Sequence, residues 1–263
     1  MCAAFNRALA ALAAAIALPA LAAFSERVAD VPTRPGVTQR LLLIEPPGAK
    51  AVVVLYAGGH GGLQISPQGT LRWGKGNFLI RSRQLFADEG LAVAVVDAPS
   101  DRQDGAYFNG FRQTREAAED ARILIAWLRS RTKLPVWLVG TSRGTQSAAF
   151  IATELHGPEG PDGIVLTSSV LTDKQGRAVP DMPLAKIGVP VLVVHHEDDQ
   201  CSSCLFSGVS WIMRGLSAAP RTELIAMRGG QDTGDPCEAF AHHGYNGLEH
   251  DVVARIAAWI APN

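Results

Sequence analysis

No basic tract runs through this chain. Its 24 Lys and Arg are offset by 25 Asp and Glu, so no continuous counter-charge is offered to a phosphate backbone. Nucleic acid is therefore not an expected partner. Charged residues are scarce, at 19%, while hydrophobic residues reach 47%, which is too apolar for a disordered chain. No internal repeat, no domain-sized linker and no low-complexity tract beyond the N-terminus is present. A chain of 263 residues with this composition is expected to fold around one large core as a single domain. It also holds no G-x-G-x-x-G, no lysine-containing P-loop and no H-E-x-x-H pair, so nucleotide and zinc-protease chemistry have no motif to rest on.

Only one apolar run is long, and it opens the chain: "MCAAFNRALAALAAAIALPALAAF". Arg7 is its sole charge, and Ala20-Leu21-Ala22 fits a small-x-small exit. The run falls short of the ~20 residues of a spanning helix, and Pro19 interrupts it. The expectation is a signal peptide over residues 1–22, cleaved after Ala22 or Ala23, with a mature domain over 23–263. Such a protein is exported, periplasmic or extracellular, with no membrane span after cleavage. Cysteines number only four, and Cys2 leaves with the leader. Cys201, Cys204 and Cys237 remain for an oxidising compartment, where one pair and one spare thiol is the simplest outcome.

What is present is alternation. "LLLI", "AVVVLY", "LAVAVVDAP", "LPVWLVG", "PDGIVLTSS", "VPVLVVHH" and "RTELIAM" read as strands. Several are continuous β-branched runs of the kind that are buried on both faces. Between them, "FLIRSRQLFADEG" reads as a helix ending on Gly90. "TREAAEDARILIAWLRSRT" is an amphipathic helix with acids early and arginines late. "GTQSAAFIATEL" and "EHDVVARIAAWIA" are further helices. Strands alternating with helices predict an α/β domain, a mostly parallel central sheet with helices on both faces. Fewer than twenty residues separate Val170 from Val189, which leaves no room for a large cap domain.

"GTSRG", residues 140–144, sits where a strand becomes a helix. A sharp turn there lifts a serine clear of the backbone, and the flanking glycines avoid a collision. Ser142 is thus a candidate nucleophile, and the Arg143 amide at the helix start is a candidate oxyanion donor. "YAGGHGG", residues 56–62, follows a buried strand and lets backbone N–H groups approach a substrate oxygen. Gly59 is the first choice for a second donor there, with His60 as the alternative. "HHEDD", residues 195–199, ends a strand at the edge where parallel sheets carry their sites, so one of its carboxylates can orient a histidine. Its histidines and acids are also metal-ligand types, but no ligand spacing accompanies them, and no metal is expected. His242 and His243 stand just before the closing helix and are candidate bases, whereas His250 falls inside the helix.

The order Ser142, acid, histidine resembles the α/β-hydrolase family over residues 40 to 260, with its elbow motif and Ser…Asp…His order. "HHEDD" looks like the family's strand-end segment with the acid four residues after a histidine, which selects Asp199 ahead of Asp198. "HHGY" looks like the family's His-Gly-aromatic segment and selects His243 ahead of His242. The glycine loop departs from the usual pattern, because Ala57-Gly58 stands where His-Gly is common. The resemblance implies a single-domain fold without a large cap, no cofactor, and acyl transfer from a small-molecule ester to water. The alternatives are an amide or peptide hydrolase with the same triad, or a non-catalytic periplasmic binding protein. An Asp nucleophile, as haloalkane or epoxide chemistry would need, is absent from the elbow. A Cys201–Cys237 disulfide would tie the acid loop to the histidine loop, with Cys204 as the competing partner. The loop from Leu63 to Asn77, which carries Trp73, is expected to limit substrate size.

Overall fold

Five short runs of aliphatic residues make the centre of the molecule. The computed structural model describes residues 23–261, so the expected leader at 1–22 lies outside the described residues. Strands β3 (Val52–Tyr56), β4 (Ala92–Val96), β5 (Val136–Thr141), β6 (Gly163–Thr167) and β7 (Val191–His196) are buried along their whole length. Their alternate residues feed two different cores. Val52, Val54 and Tyr56 join one, and Val53, Leu55 and Ala57 the other. The first core takes in helices α3 (Arg115–Thr132) and α4 (Arg143–Glu154) through Leu124, Ile125, Phe150 and Ile151. The second is covered by α1 (Phe78–Arg81), α2 (Arg83–Asp88) and α6 (Glu249–Ile260). A strand covered on both faces has no polar side to display, which is why these segments read as unbroken apolar runs.

The eight-stranded sheet has the order β1-β2-β4-β3-β5-β6-β7-β8. All neighbours from β4 through β3 to β8 (Thr222–Met227) run parallel. The β1 (Glu26–Arg34), β2 (Val37–Ile44) hairpin adds antiparallel pairing at one edge. The chain between Val170 and Val189 contains only two short 3-10 turns, so no cap domain is inserted there.

Three features differ from the sequence reading. Strand β1 differs from that reading, because its residues mix charged, apolar and proline positions without a continuous apolar run, as an edge strand tolerates. Helix α5 (Val209–Gly215) was likewise not anticipated. The helix expected over 78–90 is broken at Ser82 into α1 and α2. The Arg83 guanidinium donates to the Ile80 carbonyl at 2.7 Å and competes for an acceptor of the helical ladder. Gly90, at φ +78°, does end the segment.

Candidate active site

The site is built at the C-terminal ends of β3, β5 and β7, where the parallel strands release their loops. After β5 the chain turns through Ser142, whose φ of 51° and ψ of −126° place it outside the helical and extended regions. The two glycines are demanded by backbone, not by side chains. A Cβ at Gly140 would lie 2.3 Å from the Gly144 carbonyl oxygen, and one at Gly144 would lie 2.0 Å from that of Tyr56. The turn is held by the Ser142 N–H, which donates to the Thr167 carbonyl at 3.0 Å, and by Thr145, whose hydroxyl donates to the Ser142 carbonyl at 2.6 Å. Arg143 is the first residue of α4, so its N–H has no partner within the helix. Its side chain pairs with Asp173, at 3.0 Å.

Asp199 follows β7 in a tight turn and is 1% exposed. Its Oδ1 accepts the Cys201 N–H at 2.9 Å, and its Oδ2 accepts His243 Nδ1–H at 2.8 Å. Asp198 is exposed, so of the adjacent carboxylates it is Asp199 that meets the histidine. With Nδ1 donating to the carboxylate, the neutral His243 ring keeps Nε2 as an acceptor. That nitrogen is buried and has no hydrogen-bond partner among the described residues. His242 stacks on His196 instead, with ring centroids 4.2 Å apart and an interplanar angle of 7°. His250 is exposed on α6.

Cys201 and Cys237 form a disulfide, and Cys204 is free and buried. The bridge ties the turn that carries Asp199 to the loop that leads into His243. Burial pushes the Cys204 thiol above its ordinary pKa and keeps it protonated. His196, Asp198 and His242 bring ligand-type atoms within 4.8 Å of one another. Both His196 nitrogens are already engaged, however: Nδ1 accepts the Asp198 N–H at 3.0 Å, and Nε2 bonds the Gly229 carbonyl at 2.9 Å. Parallel stacked imidazoles also aim their lone pairs side by side, which does not converge on one ion.

Ser142 and His243 line a single cleft of about 580 Å³. Gly58 and Gly59 form one wall, and Gly58 lies directly against Ser142, where an added Cβ would come within 3.0 Å of the Ser142 Cβ. Trp73 and Phe240, 37% and 52% exposed, stand on the cleft from the Leu63–Asn77 and 231–240 loops. Asp235 and Glu238 line it too, and no Lys or Arg does among the described residues. A larger cavity of about 840 Å³ lies beside Arg40, Arg72 and Asp97. It is lined by no histidine, so it offers no imidazole base for acyl transfer.

Several supporting residues were not found from sequence. Tyr245 is fully buried, and its hydroxyl donates to the Val194 carbonyl at 2.8 Å while accepting the Ser168 N–H at 3.0 Å. The Ser168 hydroxyl in turn donates to the His243 carbonyl at 2.7 Å, fixing the backbone that presents the ring. Asp97, at the end of β4, accepts the N–H groups of Leu63, Gln64, Ile65 and Ala98 and pins the root of the loop that carries Trp73. His60, read from sequence as the alternative donor, instead braces the loop: its Nδ1 accepts the Gly62 N–H, and its ring packs against Trp73 and Tyr107.

No protein-family model matches the sequence. No curated protein matches it either. Solved structures do resemble it. A dienelactone hydrolase from Anabaena variabilis is 16% identical, with a TM-score of 0.62, covering 90% of this chain and 97% of its own. An alpha-beta serine hydrolase homologue from Coxiella burnetii is 15% identical, with a TM-score of 0.63, covering 92% and 100%. An esterase from Pyrococcus furiosus is 14% identical, with a TM-score of 0.63, covering 90% and 92%. The chain has the α/β-hydrolase fold.

Proposed function

We propose, from this fold and the site it carries, that the protein is an exported serine hydrolase that cleaves carboxylic esters of small molecules. The observation that carries the reading is the buried Asp199–His243 pair, 2.8 Å apart, with its free Nε2 in the same cleft as the elbow serine. Such an arrangement has one evident chemical use. A serine hydroxyl is a weak nucleophile until a positioned base takes its proton.

In the proposed cycle His243 Nε2 accepts the Ser142 proton as Oγ attacks the ester carbonyl. Asp199 stabilises the imidazolium that forms and stays ionised throughout. The negative charge that develops on the carbonyl oxygen is met by the Arg143 and Gly59 N–H groups. Losing one such donor in a comparable site costs about 100- to 1000-fold in rate. The imidazolium then delivers its proton to the departing alcohol, leaving an acyl-Ser142. Water, deprotonated by His243, attacks that ester, and the released acid restores the hydroxyl. No cofactor or metal enters these steps. The names of the neighbouring esterases and hydrolases support the same class of reaction. Export is supported by the leader pattern and agrees with a disulfide beside the site. The test is hydrolysis of 4-nitrophenyl acetate by the purified mature chain beside its Ser142→Ala variant. The proposal requires turnover by the first and none above background by the second, with both folded by circular dichroism.

A further inference from the structure

Arg112 is the anomaly of the molecule. It lies in the connection before α3, is 5% exposed, and makes no ion pair with any carboxylate among the described residues. Burial, with Arg143 adding to it, pushes its guanidinium down to about 9, so it still carries its charge at neutral pH. Burying a cation without a carboxylate is costly unless its hydrogens are well used. Nη1 donates to the Ser147 hydroxyl on α4 at 2.8 Å. Nη2 donates to two backbone carbonyls, Ala57 at 3.0 Å and Gly59 at 3.1 Å. Its Nε has no partner. One face lies against the Phe108 ring, 5.0 Å from its centroid.

The two carbonyls flank the Gly58–Gly59 peptide, whose N–H is the proposed second oxyanion donor. This stretch has few side chains of its own to restrain it. Gly58-Gly59 and Gly61-Gly62 lack the side chains that restrict a backbone, and Gly59 sits at φ +55°. A donor must be aimed before the reaction if it is to lower the barrier, because reorganising it in the transition state forfeits the gain. We propose that Arg112 is the positioning residue of the oxyanion loop. It clamps the peptides on either side of Gly58–Gly59 to one guanidinium and ties them through Ser147 to the helix that follows Ser142. Nucleophile and oxyanion donors thereby share one rigid anchor. The cost of burying the cation is then explained by catalysis, since an apolar side chain of the same length would fill the space without that cost.

This inference rests on the serine-hydrolase reading, and its test separates the two. Arg112→Met keeps an unbranched apolar stem and removes every grip. The expected result is a fall in kcat for 4-nitrophenyl acetate of about 10- to 100-fold, the scale of a misplaced catalytic group, with KM within about twofold. Affinity for phenylboronic acid, which forms a tetrahedral adduct on a nucleophilic serine, falls with kcat. Arg112→Lys, whose ammonium can still bond both carbonyls, recovers part of the loss. Hydrogen exchange over residues 57–62 speeds up in Arg112→Met, a readout that needs no turnover. Unchanged kcat and boronate affinity, or unchanged exchange, in a folded Arg112→Met protein overturns the clamp. If that variant does not fold, Ser147→Ala decides. It loosens the anchor from the α4 side, and unchanged kcat together with unchanged exchange overturns the clamp there. Faster exchange in a protein whose wild type neither hydrolyses esters nor binds the boronate would keep the clamp and reject the hydrolase instead.

Discussion

The Cys201–Cys237 bridge stabilises the fold by constraining the unfolded chain. It closes a loop with a sequence separation of 36. In the chain-entropy model such a loop removes about 13 cal/mol/K from the unfolded ensemble, or about 4 kcal/mol at 25 °C. The free Cys204 confuses a simple deletion, because it could pair with Cys201 once Cys237 is gone. The clean comparison is therefore Cys204→Ala against Cys204→Ala/Cys237→Ala. With a urea m-value of about 3 kcal/mol/M, the loss of about 4 kcal/mol moves the unfolding midpoint down by roughly 1.3 M. Activity falls as well, since Cys201 N–H holds one oxygen of Asp199 while the other holds His243. A reductant must bring the single variant to the level of the double variant and leave the double variant unmoved. A midpoint shift under about 0.3 M, or equal sensitivity of both variants to reductant, would refute the view that the bridge fixes the acid relative to the histidine.

Other expectations follow from single residues. Gly144→Ala forces a Cβ to within 2.0 Å of the Tyr56 carbonyl oxygen, so unfolding free energy drops by about 2 kcal/mol or more in a urea titration, with loss of ester turnover. His195 is fully buried at the base of the site, where desolvation pushes it down to about 4. As pH falls from 6.5 towards 4 the unfolded chain takes up a proton that the folded one refuses. The stability lost across that window is at most about 3 kcal/mol, and urea titrations at pH 7 and pH 4.5 should show His195→Gln with a flatter dependence. Asp235 and Glu238 line the cleft without a cation, so 4-nitrophenyl hemisuccinate should be hydrolysed about fivefold less efficiently than 4-nitrophenyl butyrate in dilute buffer. The gap should narrow in 0.5 M salt, because exposed charges are screened.

The central strands were legible because burial on both faces leaves an unbroken apolar run, as in Val52–Tyr56 and Val191–Val194. The elbow was legible because Gly140 and Gly144 answer to local backbone collisions, which sequence spacing records. Strand β1 was not legible: its stability comes from pairing with β2 at the sheet edge, and its own residues are mixed. The break at Ser82 depends on where the Arg83 guanidinium finds a carbonyl, which no periodicity encodes. The adjacent carboxylates Glu197, Asp198 and Asp199 are chemically similar, and only the register of the turn after His196 buries the third. Arg112 and Tyr245 act through contacts 55 and 51 residues away, so their roles exist only once the chain has folded.

The central claim is that Ser142 is an activated nucleophile, and a fluorophosphonate tests it directly. Incubated with the purified protein, the probe should form one covalent adduct per molecule, seen by intact mass. Peptide mapping should place that adduct on Ser142, and His243→Ala should slow labelling by orders of magnitude. No adduct on the folded protein, or an adduct on another residue with Ser142 unmodified, would contradict the account.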